Sequence, residues 1–273
     1  MLLQRILTAL PLAIGIIWII LFQPGYVFFW LTMVIAAIAA FEWAKLAGLK
    51  IAGQMVYLLV ICAIPWAIMT HAGQYAHAYI HAGVLWWLVV CLYLFRAKPG
   101  KASVAISPYK LIAGVLVIPA AVLAMNTIHR QTDGPEWLMY ALMLVWVADI
   151  GAYFSGKRFG KNKLAPAISP GKTREGLYGA VASVGVYTVI AAYYFGLDII
   201  SATYLLLLAV VLTLVSVAGD LYESILKREH GVKDSGNILP GHGGMLDRID
   251  SVLAAMPVFM VGRELLLQPV LSL

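Results

Sequence analysis

The densest polar chemistry in this chain lies between Asp220 and Asp250, in the run DLYESILKREHGVKDSGNILPGHGGMLDRID. Six of the thirteen acidic residues fall within it, interleaved with Lys227, Arg228, Lys233, His242 and Arg248. Asp247 and Asp250 are three apart at the start of an expected helix, so both carboxylates can face one direction. Asp220 comes from the end of the preceding apolar block to the same level. Hard oxygen ligands on two neighbouring helices suit Mg²⁺, which takes one or two carboxylates and fills its shell with water and substrate phosphate. Helix capping and charge pairing with Lys227 or Arg248 is the competing account of the same acids. Between the acids lies Pro240-Gly241-His242-Gly243-Gly244, too rich in glycine for helix. Glycines let backbone N–H groups approach phosphate oxygens, although they also serve plain turns. His242 is positioned to donate to a phosphate or relay a proton, though turn histidines are as often structural.

A second polar loop, GKRFGKNKLAPAISPGKTREG, follows Asp149. Asp149 sits about two turns inside the end of an apolar block, where an ionisable group is costly and marks function unless it is a structural pair. Ser169, Lys172, Thr173 and Arg174 offer donors to an anion. Gly171-Lys172-Thr173 does not make a P-loop: Pro166 stands where the first glycine is required, and no strand is expected before it. His71, His77 and His81 include a pair at i, i+4, but no acidic or cysteine ligand is near in sequence, so they read as loop histidines. Glu42, near the end of the second apolar block, faces either Lys45 or the interior.

The elements that hold these loops are hydrophobic. The 273 residues are 62% hydrophobic and 12% charged, with a mean hydropathy of +0.89, where soluble domains carry roughly a quarter charged residues. The apolar residues form blocks of roughly 17–22, the length of a helix crossing about 30 Å of hydrocarbon, and backbone groups in that medium must be bonded internally. Nine helices are expected, at about 5–22, 26–45, 53–70, 82–96, 110–128, 136–157, 176–195, 201–223 and 249–268. The fold class is therefore an all-α integral membrane protein of one membrane domain. Residues 1–130 supply about five N-terminal helices, and 131–273 about four that carry both polar loops. The first block runs apolar from Ile6 to Phe22 without a small-x-small cleavage site and should persist as a helix. Cys62 and Cys91 both fall inside spans, and no disulfide is expected.

Alternate loops of this nine-helix arrangement collect all but Arg130 and Arg263 of the nineteen Lys and Arg residues. By the positive-inside rule that side is cytoplasmic, with the N-terminus on it and the C-terminus opposite. The formal net charge of +6 then faces anionic lipid headgroups. A transporter would bring broken helices related between two repeats at the membrane midplane; here the acids gather near one face and no repeat is found. Nothing supports nucleic-acid binding.

Ser224-x-x-Lys227-Arg228, Lys233-Asp234 and Pro240-Gly241-His242-Gly243-Gly244-x-x-Asp247-Arg248-x-Asp250 together resemble the motif of the phosphatidate cytidylyltransferases, or CDP-diacylglycerol synthases. Asp149 with Gly151-Ala152-Tyr153, and Ser169-Pro170-x-Lys172-Thr173-x-Glu175-Gly176, resemble that family too; Gly171 and Arg174 stand where it more often carries lysine and tryptophan. The resemblance spans Asp149 to Asp250. It implies transfer of CMP from CTP to phosphatidate with release of pyrophosphate, a Mg²⁺ requirement with a monovalent cation such as K⁺ beside it, a homodimer, and a bacterial inner membrane with the site facing the cytoplasm. On that footing Asp220, Asp247 and Asp250 are expected as metal ligands. Lys227, Arg228, Lys233, Asp234, His242 and Arg248 are expected to complete the catalytic set, and Asp149, Ser169, Lys172, Thr173, Ser224, Gly243 and Gly244 to bind substrate.

Overall fold

A computed structural model describes residues 2–97, 99–238 and 243–267, with the side chains of residues 2–10 and 12 left undescribed. His242, Pro240 and Gly241, the Arg5 side chain and Lys98 therefore lie outside the described residues. Nine α-helices occur among the described residues: α1 (Leu2–Phe22), α2 (Gly25–Leu46), α3 (Ile51–His71), α4 (Ala76–Leu94), α5 (Pro108–His129), α6 (Gly134–Phe159), α7 (Arg174–Tyr194), α8 (Ile199–His230) and α9 (Leu246–Leu267). Seven segments, covering α2 to α8, are long and apolar enough to cross a membrane. In α9 the acidic and basic residues at both ends, Asp247, Arg248, Asp250, Arg263 and Glu264, interrupt the apolar run.

α5 is the central helix: two-thirds of its apolar window is buried, against 22% for α3 and for α4. α3 and α4 stay apolar all round while leaving Leu59, Leu85 and Leu92 exposed, the pattern of a helix that faces hydrocarbon rather than water. Two large apolar clusters draw on both chain halves. One joins Ile20 and Phe28 to Trp137, Leu142 and Phe259, and the other joins Trp43, Tyr57 and Trp87 to Tyr222 and Leu253. The tightest pairings are α6 with α7 and α8 with α9. A Cβ at Gly151 or Gly179 would overlap Ser183 or Ser155, so small residues let the α6 and α7 backbones meet, as is common where lipid offers no hydrophobic contrast.

Three boundaries differ from expectation for identifiable reasons. α8 continues seven residues past the expected end, to His230, and stops where Gly231 takes φ 79° and its amide turns back to the Arg228 carbonyl. Ser224, Lys227 and Arg228 are thus helical rather than in a loop. α4 begins at Ala76, so His77 and His81 belong to a helix and not to a loop as expected. His77 Nε2 lies 2.8 Å from Glu264 Oε1 of α9, and His81 Nδ1 bonds the His77 carbonyl at 2.6 Å. Sequence distance had hidden that acidic partner. Finally, the loop after α6 folds into an antiparallel hairpin of β1 (Lys163–Ala165) and β2 (Ser169–Thr173), with Lys163 opposite Thr173 and Ala165 opposite Ser169.

Candidate active site

The hairpin is fixed at both ends by side chains of the substrate-loop motif. Thr173 caps α7, its Oγ1 accepting the Gly176 amide at 3.1 Å, and Gly156 and Gly160 pack against it. Glu175 takes the Lys161 amide at 3.1 Å and the Asn162 side-chain amide at 2.7 Å, closing the loop on the helix start. Thr173 is buried, so its hydroxyl works as a cap. Ser169 opens β2 and is not among the residues lining the cleft beside it.

That cleft, of about 450 Å³, lies between α6, the hairpin, α7 and α8, and Asp149, Lys157, Lys172 and Asp220 line it. Lys172 reaches across from β2 to Asp220 Oδ2 at 2.7 Å. Asp220 Oδ1 accepts a long hydrogen bond, 3.4 Å, from Ser224 one turn on. The Asp220 charge acts on Asp149 on one side and on Asp250 on the other. The α8–α9 contact is close because Gly219 has no Cβ, which would overlap the Asp250 backbone. Asp149 of α6 and Asp220 of α8 thus line one cleft with Lys157 and Lys172, and the charges of Asp220 and Lys172 also reach Asp250 of α9, a place where like charges repel unless cations join them.

Asp247 faces a different set of partners. Its Oδ1 accepts from Lys227 Nζ at 2.6 Å, and the same ammonium donates to Glu223 Oε2 at 2.6 Å. Its Oδ2 accepts the Gly244 amide at 2.8 Å and the Ser235 amide at 3.0 Å. The bond to Gly244 reaches back three residues, as the acidic member of a capping box does. Gly243 needs its glycine, since its φ is 83° and a Cβ would press on Asp247 Oδ2. Lys233, Asp234, Arg228 and Arg248 are exposed around this turn, and Arg248 also adds its charge at Asp149.

Among the described residues no group of three or more His, Cys, Asp or Glu is arranged to cage a metal. The donor set still fits Mg²⁺, because that ion needs only one or two carboxylates beside water and phosphate, and Asp220 and Asp250 are oxygen donors adjacent across α8 and α9. Asp247 joins them only by giving up Lys227. Two participants escaped the sequence reading. Glu223 was visible as an acid, but its pairing follows from α8 running on as a helix. Glu42 turns inward from α2, away from Lys45, to receive the Leu246 amide at 2.8 Å; its burial at a charged position of an apolar block was the available signal.

The model of the cytidylyltransferase family matches residues 3–266. The chain belongs to the cytidylyltransferase family. Among curated members, a phosphatidate cytidylyltransferase of Pseudomonas aeruginosa is 38% identical over 263 residues, covering 95% of this chain and 96% of that protein. One of Haemophilus influenzae is 36% identical over 282 residues, covering 95% and 97%. One of Bacillus subtilis is 50% identical, but over only 124 residues, 45% of this chain. Family membership thus extends through the N-terminal helices, beyond the stretch from Asp149 to Asp250 that carried the sequence resemblance.

Proposed function

We propose that this protein is a phosphatidate cytidylyltransferase, transferring CMP from CTP to phosphatidate to give CDP-diacylglycerol and pyrophosphate. The observation that carries the reading is the cleft in which Lys172 meets Asp220 beside Asp149, in a chain related along nearly its whole length to phosphatidate cytidylyltransferases.

A phosphate oxygen of phosphatidate attacks the α-phosphorus of CTP in line. The new P–O bond forms as the bond to the β-phosphate oxygen breaks, and pyrophosphate leaves. Two polyanions must meet, so the protein contributes position and charge neutralisation instead of a covalent nucleophile. Bound Mg²⁺ would supply charge neutralisation at the phosphates, with Asp220 and Asp250 as its carboxylates and Asp247 as a third. Lys172 orients a phosphate from the hairpin, and Arg228, Lys233 and Arg248 draw the triphosphate to the α8–α9 turn. Lys227 holds Asp247, Ser224 supports Asp220, Gly243 and Gly244 offer amides, and Asp149 borders the headgroup. Asp234 and His242 complete the set, His242 as a donor to the leaving group. A monovalent cation such as K⁺ beside the Mg²⁺, and a homodimer, belong to the same reading.

We further propose nine crossings with the N-terminus and both polar loops in the cytoplasm of a bacterial inner membrane. CTP arrives from water while the acyl chains of phosphatidate stay in the bilayer, so the site belongs at that interface. The deciding assay incubates the detergent-solubilised protein with phosphatidate, labelled CTP and Mg²⁺. Lipid-extractable label with stoichiometric pyrophosphate, both lost with EDTA, is expected. Released CDP would mark a kinase instead, and absence of both products would sink the reading.

A further inference from the structure

Glu42 belongs to α2, far in sequence from every motif residue, yet it ends at the heart of the α8–α9 turn. Its side chain is 5% exposed and receives three donors. Met245 N donates to Oε1 at 3.1 Å, Leu246 N to Oε2 at 2.8 Å, and Ser235 Oγ to Oε2 at 2.9 Å. The two amides stand at the start of α9, where no carbonyl of the helix itself can reach them, and the helix dipole favours an acid there. Gly244, at the place where a capping side chain commonly sits, has none to offer. Glu42 supplies the acceptor from another helix.

The loop is also shaped around this acid. A Cβ at Gly236 or at Gly244 would overlap the Glu42 carboxylate oxygens, so glycine at both positions lets the backbone close over it. Ser235, itself buried, lies between two acids, its Oγ 2.9 Å from Glu42 Oε2 and 3.1 Å from Asp247 Oδ2. One contiguous chain of polar contacts therefore runs Glu42, Ser235, Asp247, Lys227, Glu223. It begins on a helix with no other role at the site.

We propose that Glu42 is a positioning residue for the transferase: it anchors residues 235–236 and 244–246 and, through Ser235, fixes the orientation of the Asp247 carboxylate. The inference rests on the reading of Asp247 as an active-site group. Its consequence is that the N-terminal helices, which carry no motif, help set the geometry of the catalytic carboxylates. Outer-shell partners of this kind govern ligand orientation, and their loss typically costs about tenfold to a hundredfold in activity or metal affinity.

The test uses the full-length protein in detergent, comparing wild type with Ser235→Ala, Glu42→Gln and Glu42→Asp. Steady-state kinetics give kcat, the KM for phosphatidate and the Mg²⁺ concentration for half-maximal rate. Thermal unfolding and amide hydrogen exchange across residues 243–247 report structure. The expected result is a fall in kcat of about tenfold or more and a higher Mg²⁺ requirement for Ser235→Ala and Glu42→Gln, with an unchanged KM for phosphatidate. Faster exchange confined to residues 243–247 should accompany it, and Glu42→Asp should recover part of the rate. Wild-type kcat and Mg²⁺ dependence in Ser235→Ala overturn the proposal even if Glu42→Gln does not fold, as does a rate loss that only follows the unfolded fraction. Should wild type itself show no CTP- and phosphatidate-dependent turnover, the functional reading fails, while unaltered exchange at 243–247 in Glu42→Gln still refutes the anchor separately.

Discussion

Lys227 Nζ lies 2.6 Å from Asp247 Oδ1, and the same ammonium is 2.6 Å from Glu223 Oε2. Side-chain exposure is 13% for Lys227, 8% for Asp247 and 3% for Glu223, so one half-buried ammonium serves two carboxyl groups that are themselves largely shielded from water. A second oxygen of Glu223, Oε1, is buried without a hydrogen-bond partner. Lys227→Met should strand both acids and destabilise the fold by about 3–5 kcal/mol, the usual cost of removing one partner of a buried pair. The measurement is thermal or denaturant unfolding in detergent; Lys227→Met with Glu223→Gln should recover a large part of the lost stability without restoring activity.

Lys172 and Asp220 form a pair of another kind. Their side chains are 24% and 32% exposed, and such pairs contribute about 1 kcal/mol or less. Lys172→Gln should therefore leave the unfolding midpoint close to wild type while lowering kcat/KM by about 10² or more, as expected when a group that positions phosphate is lost. Parallel kinetics and unfolding on one preparation check it. A large stability loss with near-normal turnover would make the pair structural.

Thr173 separates capping from substrate contact. Its hydroxyl accepts the Gly176 amide and its side chain is buried, so Thr173→Ala should cost about 1 kcal/mol, the typical value for a lost N-cap. Thr173→Ser keeps the acceptor and should be close to neutral. Denaturant unfolding gives the stability difference. If Thr173→Ser also loses turnover while remaining stable, the methyl group has a role at the cleft that capping does not explain.

The helices and the acidic turn were legible because the chain is so apolar: a carboxylate among Leu, Val and Ala stands out, and block lengths follow bilayer thickness. Asp149, Asp220 and Asp250 were found that way, and the first two line one cleft. What could not be read was the partner of each charge. Glu42 meets Leu246, and His77 meets Glu264, across helix pairs whose packing has no local signature. The extension of α8 to His230 was missed because hydropathy ends at the membrane surface while backbone hydrogen bonding does not. Lys227 was expected in the catalytic set, and that extension places Glu223 one turn behind it. Likewise, the hairpin at Lys163–Ala165 and Ser169–Thr173 is too short and too polar to show a strand period.

Membrane orientation gives the last prediction, since both polar loops must share a side for CTP to reach Lys172 and Arg248 together. Lys50 precedes α3 and Thr132 lies between α5 and α6, on opposite faces if every helix between them crosses. Single cysteines at these positions, in a background with Cys62 and Cys91 replaced, should divide in labelling by a membrane-impermeant maleimide. With intact cells Thr132→Cys should react and Lys50→Cys should not, and Lys50→Cys should react once inverted vesicles expose the cytoplasmic face. The charge distribution demands this sign, because basic residues in short loops stay on the cytoplasmic side and the Lys50 side holds Lys45, Lys161 and Lys233, whereas the Thr132 side holds only Arg130 and Arg263. Labelling of both positions from one side would mean an even number of crossings between them instead of the three that α3, α4 and α5 supply, and would overturn the nine-crossing arrangement.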